Sequence, residues 1–381
     1  MEPIYLDYAA TTPVRPEVRE AMLPLLSENF GNPSSVHRWG RHAKLELEEA
    51  RARIADLIGA RPTEIVFTRG GTEADNLAVL GRSRREKGAP IACSAIEHRA
   101  VLMAARAAEE EGSPLRLLPV DAHGIVVDGS WDEILTDEPA IVSVMWANNE
   151  IGSVQPIERI AAACHAAAVT FHTDAVQAFG KLRVRVDDVP VSMLSLSAHK
   201  IGGPKGVGAL FIRKGTEVQP LVYGGGHERG LRAGTEDVAG AVGFAVAAEL
   251  AAREREDQVE RLRGLRDRLE AGLREKVPDL VVNAAGAERL PTILNVSVPG
   301  ASSEVLLVML DLEGIAVSSG SACSSGGVSP SHVLTTMGLP PEVAGPSVRF
   351  SLGHETTQRE IDQVLEAFPP LMERLRSMAA A

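Results

Sequence analysis

Between about residue 50 and about residue 250, short β-like runs alternate with helical stretches, which restricts the chain to an α/β architecture with a mainly parallel sheet. The runs are Ile65-Val66-Phe67-Thr68, Ile91-Ala92-Cys93-Ser94, Ala140-Ile141-Val142-Ser143-Val144, Thr170-Phe171-His172-Thr173 and Ala209-Leu210-Phe211-Ile212. Polar segments with chemical capability follow several of them directly. In an open parallel sheet ligands bind outside the carboxyl ends of the strands, so these segments can converge on one pocket.

Near residue 252 the pattern changes. Glu254 to Lys276 is charged, and Leu262, Leu265, Leu269 and Leu273 recur in it at spacings of three, four and four, one apolar stripe of a helix. Strand-like pieces follow around Ile293 to Val298 and Ser347 to Ser351. The predicted division is a large domain over residues 13–255 and a smaller α+β domain made of residues 1–12 and 256–381.

Composition excludes several functions. The longest strongly apolar stretch, Val238 to Ala248, falls far short of the roughly 20 residues of a membrane span. The amino terminus carries no basic region followed by an apolar one, so no secretory signal is read and a cytoplasmic location is expected. A formal charge of -12 disfavours a surface for nucleic-acid phosphates. The 3 cysteines have no CxxC spacing, which argues against a disulfide framework and against a metal site.

Cys93 and Cys164 fall in a predicted strand and a predicted helix and read as core residues. Cys323 differs, because it sits among small residues from Ser318 to Gly327 that offer no packing surface. An accessible thiol on a loop is expected there, and access is one requirement of a reactive cysteine.

Lys200, in Ser197-Ala198-His199-Lys200, and Lys205, in the glycine-rich turn after it, both compete as a Schiff-base lysine. A cofactor such as pyridoxal phosphate needs that lysine, a carboxylate to keep its ring nitrogen protonated, and donors for its phosphate. Asp174 follows the strand at Phe171-His172 and can be the carboxylate, although an aspartate there also suits a helix N-cap. Gly70-Gly71-Thr72-Glu73 precedes a predicted helix, where exposed amides and a hydroxyl make a phosphate site or plain capping. Lys200 is favoured over Lys205 by its polar neighbours Ser197 and His199, and His98 follows a strand where its ring can cover a planar cofactor and handle protons.

These segments, with Tyr5 to Pro13, Gly31 to Ser35, Asn148 to Gly152, Gly224 to Gly230 and Arg349 to Gly353, resemble the cysteine desulfurases of the NifS/IscS type over essentially the whole chain. Those are pyridoxal-phosphate enzymes of the class V aminotransferase group, with fold type I. The resemblance implies conversion of L-cysteine to L-alanine, with sulfur leaving as a persulfide on Cys323 for an acceptor in iron-sulfur cluster assembly or thiolation. It makes Lys200 the Schiff-base lysine and the base for the substrate Cα proton, and Asp174 the partner of the ring nitrogen. His98 stacks on the ring, and Gln177 and Asn149 bond its 3'-oxygen region. Thr72 in the Gly71 turn, Ser197 and His199 hold the phosphate, together with Thr235 from the other subunit of a homodimer. Arg349 clamps the substrate carboxylate with help from Asn149.

Three departures from the family pattern, His354, Ala198 and Ala233, remove no mechanistic group. A selenocysteine lyase, a kynureninase-like enzyme or an aminotransferase is the same-fold alternative, and a sulfur relay with a decayed cofactor site is the non-enzymatic one.

Overall fold

The structure is a computed structural model that describes residues 3–319 and 330–379. Its main sheet has seven strands in the order Ile65–Thr68, Gly208–Ile212, Met193–Ser197, Phe171–Asp174, Ile141–Ser143, Ile91–Ser94, Leu115–Leu118. Neighbours run parallel except that Gly208–Ile212 is antiparallel to both strands beside it. The six strands other than Leu115–Leu118 are buried along their length; in Ile65–Thr68 and Gly208–Ile212 this leaves nearly continuous apolar runs, whereas Phe171–Asp174 and Met193–Ser197 also bury polar side chains, and Met193–Ser197 was not among the strand candidates. Leu115–Leu118 escapes the sequence reading. It lies at the sheet edge with Arg116 and Leu117 exposed, so it lacks the apolar run that marks the others.

Successive strand residues face opposite layers. Val66, Ile91, Ile141 and Leu210 pack with Leu77, Ala78, Val101 and Ala104 of the helices Gly71–Arg85 and Arg99–Glu110. Phe67, Val142, Phe171 and Phe211 pack with Leu47 and Ile54 of the helix Arg38–Ile58 and with Phe244 and Ala245 of the helix Val238–Lys276. Cys93 and Cys164 are buried in these layers, and burial pushes the Cys164 thiol up to about 12 and the Cys93 thiol higher still.

Val238–Lys276 is one continuous helix of 39 residues, where the sequence suggested a change of segment. Asp237 caps it by accepting the Gly240 N–H at 2.9 Å, and no proline interrupts it. Its first half belongs to the sheet core, whereas Leu262, Leu265, Leu269 and Leu273 enter a second core with Ile4, Leu6, Phe350 and Phe368. That core rests on an antiparallel sheet of Val281–Val282, Ile293–Ser297 and Ser347–Ser351. The strand Ile4–Tyr5 pairs in parallel with Ile315–Ala316, which returns the amino terminus to the same core. Among the described residues, no helix is long and apolar enough to cross a membrane.

Candidate active site

Five strand ends of the main sheet and one strand of the smaller sheet meet at a cavity of about 380 Å³. It is lined by Gly71, Thr72, His98, Asn149, Asp174, Gln177, Ser197, His199, Lys200 and Arg349, all singled out in the sequence. Thr235 is exposed and does not line it. Lys205 is exposed as well, which leaves Lys200 as the lysine at the cavity. Cys323 lies outside the described residues.

One end of the cavity suits a phosphate. After the strand Ile65–Thr68 the chain turns through Gly70 at φ +139°, a conformation that L side chains rarely adopt, and the helix Gly71–Arg85 starts. Its first N–H groups lack helical partners and carry the positive end of the dipole. A Cβ on Gly71 would meet Val176 Cγ2 at 2.8 Å and Ser197 Cβ at 3.7 Å, so the wall closes around glycine there. The Ser197 hydroxyl is buried and has no partner among the described residues, as expected of a donor awaiting a ligand.

Asp174 ends its strand and caps no helix; its Oδ1 accepts the Val176 N–H at 2.8 Å. Burial pushes its carboxyl up, opposed by His98, the Val176 N–H and Lys200. A buried acid of this kind stays ionised when a cation binds it, which is what a protonated ring nitrogen provides. His98 caps the helix Arg99–Glu110, accepting the Ala100 N–H at Nδ1 over 3.1 Å, so the neutral ring carries its proton on Nε2. Burial lowers its pKa despite Asp174. The residues present therefore fit pyridoxal phosphate: an amine, a buried carboxylate, a ring above the cavity and a phosphate cradle.

Lys200 follows the strand Met193–Ser197 on a short turn, and its Nζ donates to Ala9 O at 2.6 Å and Ala10 O at 2.8 Å. Arg349 arrives from the middle of Ser347–Ser351 and is held by Asp7 Oδ1 at 2.7 Å and the Asn149 carbonyl at 2.9 Å. On the far side of Lys200 a smaller cavity of about 100 Å³ is lined by Thr12, Arg15, Lys181, Glu254 and His354. Arg15 and Glu254 pair across it at 2.6 and 3.1 Å.

Sequence reasoning missed four supporting residues. Asp7 and Ala9 belong to the Tyr5 to Pro13 segment but only the fold brings them to Arg349 and Lys200. Asp75 is buried on the inner face of the helix Gly71–Arg85, and a carboxyl oxygen of Asp75, a ring nitrogen of His98 and a carboxyl oxygen of Asp174 lie within 4.8 Å of one another. An acid between Ala74 and Leu77 on an otherwise apolar face was the available signal. Glu97 is enclosed beside His98, its Oε1 accepting the Ser94 hydroxyl at 2.5 Å and the Met145 N–H at 2.6 Å.

The description "Aminotransferase class-V" matches residues 4–364. A cysteine desulfurase IscS of Dictyoglomus turgidum is 46% identical over 378 residues, covering 99% of this chain and 96% of its own. A cysteine desulfurase NifS of Azotobacter vinelandii is 43% identical, covering 100% and 95%. The chain belongs to the cysteine desulfurases of the class V aminotransferases. The solved structure of a NifS-like protein superposes with a TM-score of 0.92 at 34% identity, covering 98% of this chain and all of that one. The sheet and the second core are thus those of pyridoxal-phosphate enzymes of fold type I. The enzyme is a pyridoxal-phosphate-dependent cysteine desulfurase, and the selenocysteine lyase alternative is not favoured.

Proposed function

We propose that the desulfurase binds L-cysteine at Arg349, takes its Cα proton at Lys200 and receives the sulfur on Cys323 as a persulfide for an acceptor protein. The observation that carries this reading is the single cavity that joins Lys200, Asp174, His98, Ser197 and Arg349.

Bound pyridoxal phosphate supplies an aldehyde for an amine and a protonated ring that accepts electrons from Cα. Asp174 would keep the ring nitrogen protonated, and Thr72, Ser197, His199 and the N–H groups after Gly70 would hold the phosphate. Thr235 joins them from the partner subunit of a homodimer. Exposed Phe30, Val36 and Trp39 support a dimer, since large exposed apolar groups close together mark interfaces. Their segment adjoins that of Thr235 where Pro33 and Ser34 share a cavity with His227 and Glu236.

Lys200 takes the substrate Cα proton at Nζ, within reach of the Ala9 and Ala10 carbonyls that orient it. Arg349 offers the carboxylate a planar pair of donors, preset by Asp7. His98 holds a proton at Nε2 beside the reacting atoms. The Cys323 thiolate attacks the substrate sulfur, forming an S–S bond as the C–S pair stays with carbon, which takes up protons and leaves as L-alanine. The division into residues 13–255 and residues 1–12 with 256–381 accompanies this reading and is supported by the two apolar cores. Service to iron-sulfur assembly or thiolation, in the cytoplasm, is the setting the reading favours.

Mass spectrometry after brief exposure to L-cysteine tests it. The expected result is one added sulfur on the Cys323 peptide and alanine from the wild type but not from Cys323→Ala. Alanine production by Cys323→Ala equal to the wild type overturns the persulfide route.

A further inference from the structure

Lys181 is half-buried behind the site, on the wall of the smaller cavity that Lys200 also lines. Among the described residues it pairs with no carboxylate. Its Nζ donates instead to two oxygens of one residue, the Gln177 carbonyl at 3.0 Å and the Gln177 Oε1 at 3.4 Å. The other end of that amide, Nε2, donates at 2.9 Å to Ala9 O, the carbonyl that also accepts Lys200 Nζ.

An amide side chain has nearly the same shape whichever way it is turned, so packing alone does not decide which end faces a ligand. A neighbour that donates does decide it. Lysine has three N–H donors as an ammonium and two as a neutral amine, so it can serve both Gln177 oxygens in either state. This matters because burial, and then the Lys200 charge, lower the Lys181 pKa to about 7.

We propose that Lys181 is a positioning residue that holds the oxygen of the Gln177 amide, so that its NH₂ group faces the cofactor cavity and donates to the phenolic oxygen of bound pyridoxal phosphate. The proposal rests on the reading of Gln177 as a cofactor contact. Without Lys181 the Ala9 carbonyl, which Lys200 Nζ also uses, is left to hold the amide's orientation by itself, and a turned amide presents its own oxygen to an anionic one, exchanging an attraction for a repulsion.

A pH titration of the visible absorption band of the holo-protein tests this. A donor at the phenolic oxygen stabilises its anion and lowers the midpoint of the spectral change. Lys181→Met is expected to raise the midpoint by about one unit, and Gln177→Met by a similar amount. The double variant should shift no further than either single one, because both act through one contact. Lys181→Arg, which restores donors, should return the midpoint towards wild type. An unshifted Lys181→Met beside a shifted Gln177→Met, or additive shifts in the double variant, overturns the proposal. If Lys181→Met does not fold, Lys181→Leu, which also lacks a donor, is read in the same way. A wild type without the band, or an unshifted Gln177→Met, defeats the reading of Gln177 itself, and the role of Lys181 falls with it.

Discussion

Glu97 is the most heavily enclosed acid beside the site, and replacing it with glutamine isolates the effect of its charge. Burial pushes its carboxyl from an ordinary 4.5 up to about 8, against the Ser94 hydroxyl and the Met145 N–H. An acid with a folded pKa above its unfolded one binds protons on folding. Its stabilising contribution is complete below about pH 4.5 and is lost as the pH rises through about 8. One pKa unit corresponds to about 1.4 kcal/mol, so the span from pH 6 to the folded pKa removes about 2.7 kcal/mol. Glu97→Gln keeps the acceptor for Ser94 and Met145 and cannot ionise. With an unfolding entropy of about 2.1 cal/mol/K per residue, each kcal/mol moves Tm by a little over about 1 °C in a chain this long. Calorimetry on matched samples should therefore show Tm of the variant, relative to wild type, rising by about 3 °C between pH 6 and pH 9. The raised acids Asp75, Asp174 and Glu150 titrate in both proteins and largely cancel in the difference. A difference that stays flat or shrinks over this range refutes the reasoning.

Arg349→Lys loses the planar fork held by Asp7 and Asn149 and is expected to raise KM for L-cysteine by about 10-fold or more while the visible band persists. Unchanged steady-state kinetics would remove Arg349 from substrate binding. Glu228→Ala strips the buried Arg51 of two hydrogen bonds at 2.7 and 2.8 Å, and the Phe67 N–H of its acceptor at 2.9 Å. Thermal or urea unfolding should register a loss of about 3–5 kcal/mol, and a near-neutral effect would mean that water replaces the carboxylate.

The sequence by itself determined five of the strands of the main sheet, whose short β-like runs are buried on both faces, and it placed the chemically capable segments at their carboxyl ends. It also determined the stripe of Leu262, Leu265, Leu269 and Leu273, a period set by the helix alone. The resemblance added roles to those residues. Only the tertiary structure decided what depends on distant segments meeting. The edge strand Leu115–Leu118 exists through pairing with Ile91–Ser94, with no strong pattern of its own. The grip of Asp7 on Arg349 across 342 positions and the hold of Lys181 on Gln177 beside the Ala9 carbonyl have no local signature. Hydrogen bonds of this kind leave little trace in spacing or periodicity, because the partners are selected by where the sheets bring the chain and not by their neighbours along it.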